Sequence, residues 1–117
     1  MVQLLEVTDV SAGVACCAPL VKEPLGQQDA EQLAARLKAL ADPARLRLLS
    51  IVASSADQEA CVCDLIDPVG LSQPTVSHHL KVLTTAGFLT RSQRGTWAYY
   101  RLVPDALDGV TRMLATA

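Results

Sequence analysis

The chain has 117 residues and a formal net charge of −2, with half its residues apolar but only 3% aromatic. That supports one domain with an aliphatic, helix-packed core, and no apolar run approaches the roughly 20 residues that a membrane-crossing helix needs. The N-terminus lacks the basic-then-apolar order of a secretory signal, so a cytoplasmic setting is expected, where the four cysteines serve as ligands or reactive thiols rather than structural disulfides.

Residues 1–28 carry Gly13, Pro19, Pro24 and Gly26 without sustained periodicity and read as a flexible arm; residues 29–117 read as the folded domain. Asp29 is suited to cap a first helix, in which Ala30, Leu33, Ala34, Leu37 and Leu40 recur at helical spacing. Asp42 and Pro43 supply the cap and first position of a second helix, which buries Leu46, Leu49, Ile51, Val52 and Ala53 and ends near Ser54 and Ser55. A short third helix is predicted from about Val62 to Pro68. Gly70 then turns the chain into a fourth, opened by Ser72 and Pro74 and closed by Gly87, which makes a helix-turn-helix.

In the fourth helix Val76, Leu80 and Leu83 form the inward stripe, leaving Gln73, Thr75, Ser77, His78 and Lys81 outward. With Ser72 at the entrance, these are hydrogen-bonding tips and one cation, suited to phosphates and base edges in a major groove. From Val69 through Pro104 there is no Asp or Glu, while Lys81, Arg91, Arg94 and Arg101 fall inside that window. The twelve acidic residues all lie outside it, so the modest net charge hides a predicted basic face.

Segments 88–93 and 96–102 have strand composition, with Arg94-Gly95 as the turn between them, and predict a hairpin whose Arg91, Arg94 and Arg101 reach the DNA backbone. Pro104 opens a last helix with Leu107, Val110, Met113 and Leu114 along one side. No later element remains to cover that stripe, and the expected cover is a second copy of the chain. The fold class is therefore mainly α with a small β-hairpin: a winged helix-turn-helix, homodimeric, with double-stranded DNA as its partner and no membrane. An enzyme is not expected, since the chain has no Cys-x-x-Cys near a βαβ pattern, no phosphate-cradling glycine loop and no positioned His and carboxylate set.

The order of elements, with the motifs Leu37–Leu49 (LKALADPARLRLL), Cys61-Val62-Cys63-Asp64-Leu65 and Ser72–Lys81 (SQPTVSHHLK), resembles the ArsR/SmtB family of metal- and metalloid-responsive repressors over about residues 29–116. The resemblance implies a homodimer that binds an operator with inverted half-sites and is released by a thiophilic ion. A second type of site in that family uses Asp and His on the last helix; here that helix has Asp105 and Asp108 but no His, so none is expected.

Thiolates are soft ligands, and three or four together select As(III), Cd(II), Pb(II) or Zn(II) over hard ions. Cys61 and Cys63 would point about 200° apart on an ideal helix, so both reach one ion only where a helix begins between them, an entrance that would also favour the thiolate. In some relatives the motif carries a third cysteine at the position held here by Ile66. The missing ligand is therefore expected from Cys16 or Cys17 on the arm, of the same chain or, as arm-bearing relatives imply, of the partner. Adjacent cysteines offer alternative third ligands to a three-coordinate ion, which favours As(III), with Sb(III) beside it, as inducer. Cd(II) or Pb(II) held by four thiolates, and a thiol-redox switch, are the alternatives; no organic cofactor is expected.

Overall fold

The computed structural model describes residues 18–116, so the expectations placed on Cys16 and Cys17 lie outside the described residues. Helix α1 runs Gln27–Leu40, starting three residues earlier than a cap at Asp29 would allow. Gly26 occupies the cap position without a side-chain bond, and Asp29 sits inside the first turn, where its charge still favours the helix N-terminus. The expected arm boundary at residue 28 thus falls within this helix. Upstream, the Leu20 N–H donates to the Met113 carbonyl at 2.9 Å, and Leu25 packs on the core.

Helix α2 spans Pro43–Ser54 and starts as its sequence dictates: Asp42 Oδ1 accepts from the N–H groups of Ala44 and Arg45 at 2.8 and 3.2 Å. The motif Cys61–Asp64 does not open a continuous helix. Strand β1 (Glu59–Cys61) is followed by a 3-10 turn (Val62–Asp64) and a four-residue helix α3 (Ile66–Val69), which replace the single helix expected over this stretch. Gly70, at φ 67°, breaks α3 and leads into helix α4, Gln73–Thr85. Ser72 Oγ accepts from the Thr75 N–H at 3.4 Å, and Pro74 lies in the first turn, where no intrahelical donor is needed. At the other end Gly87 adopts φ 91° while the Phe88 N–H reaches the Leu83 carbonyl and the Gly87 N–H that of Thr84, a Schellman closure.

Strands β2 (Leu89–Arg94) and β3 (Trp97–Leu102) form the hairpin, with Arg94 opposite Trp97 and Gly95-Thr96 as the two-residue loop. The turn lies one residue later than Arg94-Gly95 because Arg94 still pairs in the ladder. The sequence reading missed β1, which pairs antiparallel with β3 to give a three-stranded sheet in the order β1-β3-β2. Helix α5 (Pro104–Leu114) closes the fold.

Leu48, Val52, Leu65, Val76, Leu80, Leu83 and Phe88 are completely buried, so the predicted inward stripe of α4 is the centre of the core. The stripe on α5 is largely covered from within. Val110 and Met113 are buried against their own domain, Leu107 is half-buried, and only Leu114 of the four stands exposed. Segment 18–26, expected as part of the arm, and α1 supply part of that cover.

Candidate nucleic-acid interface and thiol pair

Burying Val76, Leu80 and Leu83 orients α4 and thereby its other face. Ser72, Gln73, Thr75, His78 and Lys81 are exposed, and Ser77 is half-buried at the foot of a cleft. Two open clefts flank the helix. On the wing side, a cleft of about 590 Å³ lies between Gln73, Ser77 and Lys81 of α4 and Arg91, Trp97 and Tyr100 of the sheet. On the other side, one of about 650 Å³ lies between α4 and α1, lined by Lys38, Ala39, Arg45, His78 and Lys81 among others. Lys81 and Thr85 line both.

The three wing arginines are not equivalent. Strand pairing puts Arg91 opposite Tyr100, on the face turned to α4, whereas Arg101 lies opposite Glu59 and Arg94 opposite Trp97, on the other face. Glu59 Oε2 accepts from Arg94 at 2.7 Å and from Arg101 at 3.4 Å, and the Arg94 guanidinium also stacks 4.3 Å from the centre of the Tyr99 ring. The acid-free window of sequence is therefore not acid-free in space: β1 carries Glu59 into the wing and ties down two of its three arginines. The Arg94 hydrogen bond, ahead of the attraction of both guanidinium groups, holds the Glu59 carboxyl below its ordinary range. A three-residue strand is too short for alternation to betray it, which is why Glu59 was missed.

His79, the neighbour of His78, faces inward. Arg45 donates through Nη1 to His79 Nδ1 at 3.1 Å and through Nε to the Ala39 carbonyl at 2.7 Å, pinning the end of α1 against α4.

Cys61 is the last residue of β1, opposite Tyr99, and caps the 3-10 turn that contains Cys63. The change from extended to helical backbone between the two residues turns both sulfurs to the same side, where they meet as a disulfide with the Cα atoms 5.2 Å apart. The entrance expected from the spacing is present, but the turn behind it has three residues and supplies little helix dipole. Cys61 is buried and Cys63 exposed. For a three-coordinate soft ion the pair supplies two suitable sulfurs, and among the described residues no group of three His, Cys, Asp or Glu side chains could complete such a site. The donor set thus fits the inducer chemistry in kind and falls one ligand short.

The family described as bacterial regulatory protein, arsR family, matches residues 42–91, from the cap of α2 through α4 to the start of β2. The arsenical resistance operon repressor of Bacillus subtilis is 36% identical over 75 residues, covering 64% of this chain and 70% of that repressor. The chain belongs to the arsR family. It is accordingly a DNA-binding transcriptional regulator and not an enzyme. Among solved structures, the AntR antimony-specific transcriptional repressor superposes with a TM-score of 0.64 at 30% identity, covering 75% of this chain and 78% of that one. A homodimeric winged helix-turn-helix DNA-binding domain from Mycobacterium bovis gives 0.62 at 27% identity, covering 76% and 83%. No helix among the described residues is long and apolar enough to cross a membrane.

Proposed function

We infer that this arsR-family member is a cytoplasmic, homodimeric repressor that holds operator DNA with α4 in the major groove and lets go when thiolates capture As(III) or Sb(III). The observation that carries this reading is the convergence of the Cys61 and Cys63 sulfurs at the end of a strand hydrogen-bonded to the wing. Cys16 or Cys17, of the same or the partner subunit, supplies the third sulfur. The names of the Bacillus subtilis and AntR relatives support a metalloid inducer. A dimer is supported by the Mycobacterium bovis domain and by Leu20, Val21 and Leu114, 38%, 52% and 44% exposed near the Leu20–Met113 contact. In such a dimer, half-sites about 34 Å apart make grip sensitive to small changes in the spacing of the two reading helices. DNA and ion then weaken each other's binding by the same factor.

The test follows operator binding by fluorescence anisotropy while As(III), Sb(III), Cd(II) and Pb(II) are titrated into reduced protein. As(III) and Sb(III) should release wild-type protein and leave Cys61→Ser/Cys63→Ser bound; equal release of both proteins would refute the role of the pair. A second reading rests on the same proximity: with the Cα atoms of Cys61 and Cys63 5.2 Å apart, oxidation to a disulfide, rather than ion capture, would be the signal. Release by peroxide under metal-free conditions, with no response to As(III), would establish it over the first.

A further inference from the structure

A helix seated in a major groove about 12 Å wide has a sugar-phosphate backbone on each side of it. Both flanks of a reading helix therefore face a polyanion, and a protein surface that grips only one leaves the other wall unmatched. The two clefts beside α4 meet this requirement symmetrically: they share Lys81 and Thr85, and no Asp or Glu lines either of them. The wing-side cleft presents Arg91, while the far cleft presents Lys38, exposed in the last turn of α1 and well outside the acid-free window of sequence.

We propose that Lys38 is a DNA-backbone contact, gripping the phosphates on the side of α4 opposite the wing. Arg45 is its positioning residue. With Nε bound to the Ala39 carbonyl and Nη1 to His79, it fixes the final turn of α1 against the reading helix and so holds Lys38 over the groove wall. Ala39 and Val82 line the cleft beside this pair, and every charged side chain in its lining is a cation. The inference rests on α4 entering the major groove and adds the second wall of the interface.

The experiment measures affinity for a duplex containing the operator and for a random-sequence duplex of equal length, across salt concentrations, with wild type, Lys38→Gln, Lys38→Arg and, as a control for charge alone, Lys22→Gln. Each phosphate contact adds about 0.9 to the slope of log affinity against log salt. Lys38→Gln should therefore lower the slope by about 0.9 per subunit, cutting the affinity lost between about 50 and 200 mM salt roughly 3-fold per contact. The loss should be equal on both duplexes, Lys38→Arg should restore it, and Lys22→Gln should leave it unchanged. Trp97, the single tryptophan, lines the wing-side cleft, so its emission should change on DNA binding, and by the same amount in every variant. A wild-type slope in Lys38→Gln would overturn the proposal while leaving the DNA-binding function intact, as would a lowered thermal midpoint in that variant, which would assign Lys38 to the end of α1. A wild-type protein that binds neither duplex would overturn both.

Discussion

Glu59 and Arg101 stand directly opposite each other in the ladder between β1 and β3, and the same Glu59 carboxylate also takes the shorter hydrogen bond from Arg94. One acid thus restrains two of the three cations on the wing. Replacing it by Glu59→Gln removes that charge and leaves the two guanidinium groups at most a neutral acceptor. Anisotropy titrations should show tighter binding to any duplex and a steeper salt dependence than wild type; unchanged affinity would mean that these arginines do not meet DNA even when released.

The same carboxylate gives a pH signature. Because its folded-state pKa is depressed below the ordinary value of 4.5, the tether is fully present above that value and is lost as the pH falls through the lower folded one. The thermal midpoint of wild type should therefore fall relative to that of Glu59→Gln on acidification, with the two separated by a constant interval from neutral pH down to about pH 5.

Asp42 behaves alike for a different reason. Its carboxylate accepts backbone N–H groups at the start of α2, chiefly that of Arg45, and this lowers its pKa from the ordinary 3.8. The stabilisation is complete above that value and vanishes as the pH drops through the folded one. Asp42→Ala should lower the thermal midpoint at neutral pH and lose its effect in strong acid, while Asp42→Asn keeps a cap but flattens the pH profile.

Gly87 closes α4 at φ 91°, with nothing within 4 Å of where a Cβ would stand. Gly87→Ala therefore costs only the conformational penalty of a left-handed residue, about 1–2 kcal/mol, which should appear as a drop of roughly 4–16 °C in the thermal midpoint. Gly87→Asn should lose less, since Asn tolerates that region. An unaltered midpoint for the alanine variant would contradict the closure described.

After reduction the two thiols differ in access, Cys61 being buried and Cys63 exposed. Pulsed alkylation read by mass spectrometry should label Cys63 first and Cys61 slowly. Equal rates would show that the Cys61–Asp64 turn opens readily in the reduced protein.

Much of this was legible in the residues themselves. Helix α4 declared its boundaries through Ser72, Pro74 and Gly87, because caps and a 13-residue apolar period are local properties. The spacing of Cys61 and Cys63 set a condition, a change to helical backbone between them, and the strand-to-turn junction at Cys61 meets it. Strand β1 was illegible for the converse reason: three residues carry no period, and what makes Glu59–Cys61 a strand is β3, some forty residues on. With β1 went the shared ion pair of Glu59 with Arg94 and Arg101, which depends on strand pairing rather than on sequence distance. The covering of Val110 and Met113 was hidden likewise, since the Leu20 segment meets α5 through the backbone hydrogen bond to Met113, which no side-chain pattern announces.

The register that sets Cys61 against Tyr99 has a practical corollary for anyone redesigning this regulator as a biosensor. Grafting a different ligand spacing onto residues 61–64 would rewrite an edge strand of the element that stacks Tyr99 beneath Arg94. A change at residues 61–64 therefore alters the backbone that pairs with Tyr99, and a transplant that keeps the wing intact would have to carry the opposing strand along with it.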